Sequence, residues 1–201
     1  MLITQTAIPD AYRIVPAPIS DERGRFWEVW RSGELAKALG RPFTSVQVNQ
    51  SLSQRGTLRG VHDYRLPTGQ ANVITCVRGR VRDALVDLRV GSPTFGEVVL
   101  TELDEHSGTA VIATEGIGHA FLALTDEVCM HYSCSAEYTP GSMIEVDALD
   151  PALGIEWDLS EPPLRSAKDL AAPSLSAAEA AGLLPTYRDC LAHYEATRST
   201  L

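Results

Sequence analysis

Up to about residue 150, short runs of alternating apolar and polar residues are punctuated by Gly and Pro. A strand repeats its side-chain direction every second residue, so this alternation predicts strands. They fall at Arg25–Trp30, Ser45–Leu52, Thr57–Tyr64, Asn72–Gly79, Val81–Arg89, Gly96–Leu103, Gly108–Ala113, His119–Leu124, Glu127–Tyr138 and Met143–Leu149. A spacing of about ten residues with turn signals between runs predicts an all-β sandwich or barrel rather than βαβ units. The stretch Asn72–Arg89 reads as a hairpin turning at Arg78-Gly79-Arg80, and Ser32–Gly40 as a short helix with a Ser start and a Gly stop. Beyond residue 150 the pattern changes. A Pro- and Asp-rich stretch reads as irregular chain draped over the barrel, and the Ala-rich segment 174–198 as helix broken near Pro185.

The alternation also assigns faces. Gln47 and Asn49 share one face with Ser45, while Val46 and Val48 take the other. Ala84, Val86 and Leu88 form an apolar face, with Asp83 and Asp87 opposite. Such polar faces are either solvated or the polar lining of a ligand-binding barrel, and parity alone serves both readings equally.

Composition narrows the classes. The 201 residues fit a single domain, 1–201, with an irregular and helical segment from about 151 to the end. With 44% hydrophobic and 21% charged residues the chain is an ordinary globular one. A formal charge of −9 repels nucleic acid, so an anionic ligand must be met by a few locally placed Arg residues. No apolar run reaches the roughly 18 residues of a membrane span, and the first residues lack the basic start of a secretory signal. Cys76, Cys129, Cys134 and Cys190 show no CxxC spacing; the first three sit in strand-like runs as small buried groups, so a reducing, cytoplasmic setting is expected.

The candidate chemistry begins at His62, within Leu58-Arg59-Gly60-Val61-His62. A metal-binding barrel needs two His one residue apart plus a carboxylate, and no second His stands beside His62, so no metal is expected. Nucleotide-binding glycine patterns and a GxSxG elbow are absent from the sequence. Arg59 and His62 have opposite parity, and Gly60 between them is placed to supply a bulge that turns both into one pocket.

Several separated motifs occur in order: DERGRFWE (21–28), VQVNQS (46–51), LRGVH (58–62), VRDALVDLRVGSPTFG (81–96), GIGHAF (116–121), YSCSAEYTP (132–140), DPALGIEW (150–157) and SAKDLAAP (166–173). With these the chain resembles the dTDP-4-dehydrorhamnose 3,5-epimerase family. The resemblance implies a double-stranded β-helix jelly roll, a cupin-like barrel with short helices that are mainly C-terminal. It also implies a homodimer that needs no cofactor and acts on a dTDP-4-keto-6-deoxysugar. By position, the catalytic base falls on His62, the Asp that orients it on Asp169 and the acid on Tyr132. Substrate contacts fall on Arg23, Glu28, Gln47, Asn49, Arg59, His119 and Lys168, and the aromatic that stacks on thymine on Tyr138. The implied reaction inverts carbon 3, carbon 5 or both: the carbon 4 ketone acidifies the adjacent C–H bonds, a His removes a proton and a Tyr returns one from the opposite face.

The chain departs from this pattern in places. The family's Gln-x-Lys is Gln70-Ala71-Asn72 here, so a neutral amide at the substrate-binding position 72 stands where a Lys would face the enolate oxygen. The family's Glu near 143 is Met143, and HGF becomes His119-Ala120-Phe121. The helical tail after residue 173 resembles that of epimerases serving natural-product deoxysugars. Other readings are a specialised member acting on a further-deoxygenated or amino sugar, a catalytically silent cupin that only binds a nucleotide sugar, and a metal-dependent cupin oxygenase.

Overall fold

The computed structural model describes residues 1–198. The chain enters through β1 (Leu2–Gln5) and β2 (Tyr12–Val15), a short arm of β3 (Ile19–Asp21) and β4 (Gly24–Phe26), and helix α1 (Ser32–Leu39). Strands β5 (Gln47–Ser53), β6 (Leu58–Tyr64), β7 (Asn72–Arg78), β8 (Arg80–Asp87) and β9 (Val98–Asp104) follow. Next come β10 (Ala110–Ala113), β11 (Ile117–Ala123), β12 (Val128–Cys134) and β13 (Met143–Glu145), then α2 (Ala167–Leu170), α3 (Leu175–Ala180) and α4 (Tyr187–Arg198).

From β5 onward the chain passes repeatedly from one sheet to the other. One sheet has the order β1-β2-β10-β7-β12-β5 and the facing one β13-β6-β11-β8-β9. That is the expected jelly roll. It also corrects one reading, because β7 and β8 do not pair as a hairpin. The chain turns at Gly79 (φ +79°), and β8 joins the second sheet between β11 and β9 while β7 stays in the first. A side chain at Gly79 would press on Thr125 and Val128, so this corner requires glycine in both conformation and space. The run Arg25–Trp30 is likewise strand only at its start, in β4; the remainder is loop.

Apolar residues pack in three places. Between the sheets lie Ile74, Cys76, Leu85, Leu103, Phe121 and Met130. Outside the second sheet, the predicted apolar face of Ala84, Val86 and Leu88 packs under the C-terminal segment through Trp157, Leu175 and Leu184. Outside the first sheet, Tyr12, Ile14, Val73 and Ile112 are covered by Leu35 of α1 and by Phe43. With both outer faces partly covered, the inner face at one end of the barrel is free to carry polar groups, and the site lies there.

Candidate active site

A cavity of about 230 Å³ opens between the sheets, lined among others by Asn49, Arg59, His62, Asn72, His119 and Tyr132. It is smaller than the roughly 300–1,000 Å³ of sites that enclose drug-sized ligands, a size that suits a single small ring. The polar-lining alternative is therefore the one the fold adopts at Asn49, whose strand neighbours Val46 and Val48 point outward and are exposed.

Gly60 makes the site possible. It sits at φ +103°, and an added Cβ would collide with the His119 carbonyl oxygen and Ala120. The β6–β11 ladder slips there: His119 pairs with His62, and Phe121 with Arg59. This irregularity lets Arg59 and His62, of opposite parity, line one cavity with Tyr64, while Leu58 and Val61 go to the outer core.

His62 Nε2 lies 2.7 Å from Asp169 Oδ1. Asp169 belongs to α2, whose N-cap Ser166 donates its hydroxyl to Asp169 Oδ2 at 2.6 Å, and the Gly60 N–H donates to Oδ1 at 3.4 Å. Burial pushes this carboxyl up, yet the hydrogen bonds from His62 and Ser166 and the charge of His62 outweigh it and hold it at about 2. Asp169 thus stays ionised and accepts the Nε2 proton; in the neutral form of the ring that tautomer leaves the Nδ1 lone pair free.

Tyr132 stands on β12 of the facing sheet, opposite Asn49 in register. Burial raises its pKa, and the charge of Asp83 adds to the effect, so the hydroxyl stays protonated. His119 meets Tyr132 edge-on with ring centroids 6.0 Å apart, and its Nε2 is 2.5 Å from Asp83 Oδ2.

Other sequence-predicted residues form the rim. Arg59 reaches the β5 edge, donating to Ser53 Oγ at 3.1 Å and to the Leu52 carbonyl at 3.3 Å. Gln47 accepts from the Tyr138 N–H at 2.8 Å and donates to Asn49 at 2.9 Å, which ties the loop bearing Tyr138 to the cavity mouth. Asn72 lines the cavity with its amide donating to Gln70 at 3.3 Å. Lys168 does not line the cavity; its ammonium pairs with Glu145 at 2.5 Å and lies 3.7 Å from Met143 Sδ. Glu145 is two residues along β13 from Met143, on the same strand face, and supplies the acid that faces Lys168.

Arg23 and Glu28 stand apart. Arg23 lies at the turn of the exposed β3–β4 arm, bonded to Asp21, and Glu28 pairs with Arg31 in the loop that follows. Neither lines the cavity of its own chain. Sequence reasoning missed Asp83 as a partner of His119, Ser166 as a brace for Asp169 and Glu145 as a partner of Lys168. Signals for the first two were present: an inward-parity Asp in an apolar strand, and a Ser three residues before an Asp, an N-cap spacing. Among the described residues, no three His, Cys, Asp or Glu side chains gather as a metal site would require.

Comparisons with known proteins bear on the family and the fold. The family model described as dTDP-4-dehydrorhamnose 3,5-epimerase matches residues 5–177. A dTDP-4-dehydrorhamnose 3,5-epimerase of Mycolicibacterium smegmatis is 43% identical over 201 residues, covering 100% of this chain and 99% of that protein. The solved structure of an epimerase of Mycobacterium tuberculosis superposes with a TM-score of 0.95 at 38% identity, over 98% of this chain and 100% of that one. A 3′-monoepimerase of Streptomyces bikiniensis, solved in complex with dTDP-quinovose, gives 0.93 at 44% identity, over 96% and 98%.

Proposed function

The chain belongs to the dTDP-4-dehydrorhamnose 3,5-epimerase family, and from that premise we propose a division of labour for inverting carbon 3, carbon 5 or both of a dTDP-4-keto-6-deoxyhexose. His62 is the base, Asp169 fixes its tautomer and Tyr132 is the acid. The observation that supports these roles is that His62 and Tyr132 line one sugar-sized cavity from facing sheets.

The proton leaves carbon to His62 Nδ1, the C–H electron pair becomes the C=C bond, and the carbonyl π pair moves onto oxygen. Collapse of the enolate then takes a proton from the Tyr132 hydroxyl on the opposite face, restoring the ketone with inverted configuration. His62 loses its proton to solvent and the Tyr132 phenolate regains one, so the enzyme returns to its starting state. Gln47, Asn49, Arg59, His119 and Asn72 hold the substrate, and Tyr138 at the mouth stacks on the base. Lys168 lies on the same side of the mouth, shared with Glu145. No redox cofactor or metal enters these steps.

Arg23 and Glu28 take part through a homodimer. The outer face of edge strand β5 exposes Val46, Val48 and Leu52 at 50%, 57% and 62%, and the arm exposes Ile19 and Phe26. A second copy covering this apolar strip brings its arm, with Arg23 and Glu28, towards the neighbouring cavity, where the guanidinium meets the diphosphate. The whole of 1–201 acts as one cupin-like unit, since α2 of the C-terminal segment supplies Asp169. Among the described residues no helix is long and apolar enough to cross a membrane, and four free cysteines suit the reducing cytoplasm.

Incubation with dTDP-4-keto-6-deoxyglucose in deuterated water, followed by NMR, tests the reading. Deuterium entering at carbon 3, carbon 5 or both is expected; a sugar that binds without exchange would leave only the silent binder.

A further inference from the structure

A second His–carboxylate pair lies deeper in the same cavity and differs from the first in how its carboxylate is satisfied. Asp83 is fully buried on β8, where it pairs with Phe121, two positions along β11 from His119. Its Oδ2 is 2.5 Å from His119 Nε2, and its Oδ1 has no hydrogen-bond partner among the described residues. Asp169, by contrast, receives His62, the Ser166 hydroxyl and the Gly60 N–H.

The two carboxylates thus make different demands on the imidazoles beside them. A carboxylate with several donors does not depend on a cation beside it. A buried carboxylate with a single donor is costly unless that donor carries charge. Other ionisable groups lining the cavity with His119 are His62, Arg59 and Tyr64 from β6 and Tyr132 and Cys134 from β12, and the Arg59 guanidinium is already turned towards Ser53 and the Leu52 carbonyl. A doubly protonated His119 satisfies Asp83 through Nε2–H and leaves a charged Nδ1–H for the cavity. A neutral ring bonded the same way would turn a lone pair towards the developing oxyanion, which repels it. Asn72, at the position where the resemblance implies a Lys, is uncharged and partly engaged by Gln70.

We propose that His119, held doubly protonated by Asp83, is the cationic hydrogen-bond donor to the carbon 4 keto oxygen, and that Asp83 is its positioning residue. This rests on the epimerase reading above. It assigns to His119 the charge that a neutral Asn72 cannot bring to the enolate.

The test is deuterium exchange into dTDP-4-keto-6-deoxyglucose by the wild type, Asp83→Asn and Asp83→Asn/Asn72→Lys, with dTDP binding measured in each. Asp83→Asn is expected to lose about 10²–10³ in exchange rate, as for one oxyanion donor, with dTDP affinity within about threefold. Adding Asn72→Lys is expected to restore at least about tenfold, a rescue that a merely structural role for Asp83 does not give. Exchange at the wild-type rate in Asp83→Asn, or a folded double variant without rescue, overturns the proposal. Should Asp83→Asn fail to bind dTDP, ¹⁵N spectra of histidine-labelled wild type with dTDP decide: both His119 ring nitrogens protonated supports it, and a bare Nδ1 overturns it. A wild type without exchange would instead fail the epimerase reading itself.

Discussion

Asp169 and Asp63 are buried carboxyl groups with opposite electrostatic histories, and both bear on stability. The folded Asp169, held at about 2, lies below its ordinary 3.8. It therefore contributes stability above about pH 4 that is lost as pH falls through its folded value, roughly 2 kcal/mol across that window. Asp63 points away from the cavity, and burial raises it to about 7. Its Oδ2 finds no partner among the described residues. Because its folded value is raised, its contribution is fully present below about pH 4 and disappears as pH climbs to 7. Asp63→Asn is thus expected to stabilise the protein at pH 8 by about 1–3 kcal/mol, read from urea midpoints; a loss at that pH would contradict the sign. For Asp169→Asn, exchange should fall by about 10²–10⁴, as expected when a general base loses its tautomer partner. Near-normal exchange in a folded Asp169→Asn would remove that residue from the proposed mechanism.

Strand β6 shows what one element adds to its residues. Simple alternation puts Arg59 and His62 on opposite faces; the slip at Gly60 puts both in the cavity. Gly60→Ala is expected to cost at least about 2 kcal/mol, since the added carbon meets backbone and φ is positive. It should also lower exchange more than dTDP affinity; a variant of normal stability and rate would show the slip to be dispensable. The longer strands were legible because runs of seven or eight residues between turn signals stand out in the sequence, as at β5, β8 and β12. The first strands were not, because β1 to β4 have only three or four residues each. Nor does alternation say which partner a strand chooses, which is why the β7–β8 corner reads as a hairpin. Four-residue α2 was hidden in Pro-rich chain, yet its Ser166 cap aims Asp169 at His62. His62, Tyr132 and Asp169 were found through family motifs, since spacing cannot show that residues 107 positions apart touch.

At the scale of the whole molecule, the proposed homodimer completes the cavity with the arm of a second copy. Six predicted residues line the cavity directly through β5, β6, β7, β11 and β12, whereas Arg23 stands on the arm and Glu28 in the loop that follows. An apolar strip on an edge strand invites pairing with another copy. Leu52→Glu with Val48→Glu places charge on that strip, and sedimentation should then show a shift from dimer towards monomer, with dTDP affinity falling as the partner's arm is lost. A wild type that sediments as a monomer while binding dTDP normally would contradict the shared site. The central claim is the facing pair of His62 and Tyr132, and the most direct measurement is deuterium exchange into dTDP-4-keto-6-deoxyglucose by wild type, His62→Ala and Tyr132→Phe at equal dTDP occupancy. The account predicts exchange in the wild type, none above background in His62→Ala, and in Tyr132→Phe proton removal without inversion. Undiminished exchange in His62→Ala, or full inversion in Tyr132→Phe, would contradict it.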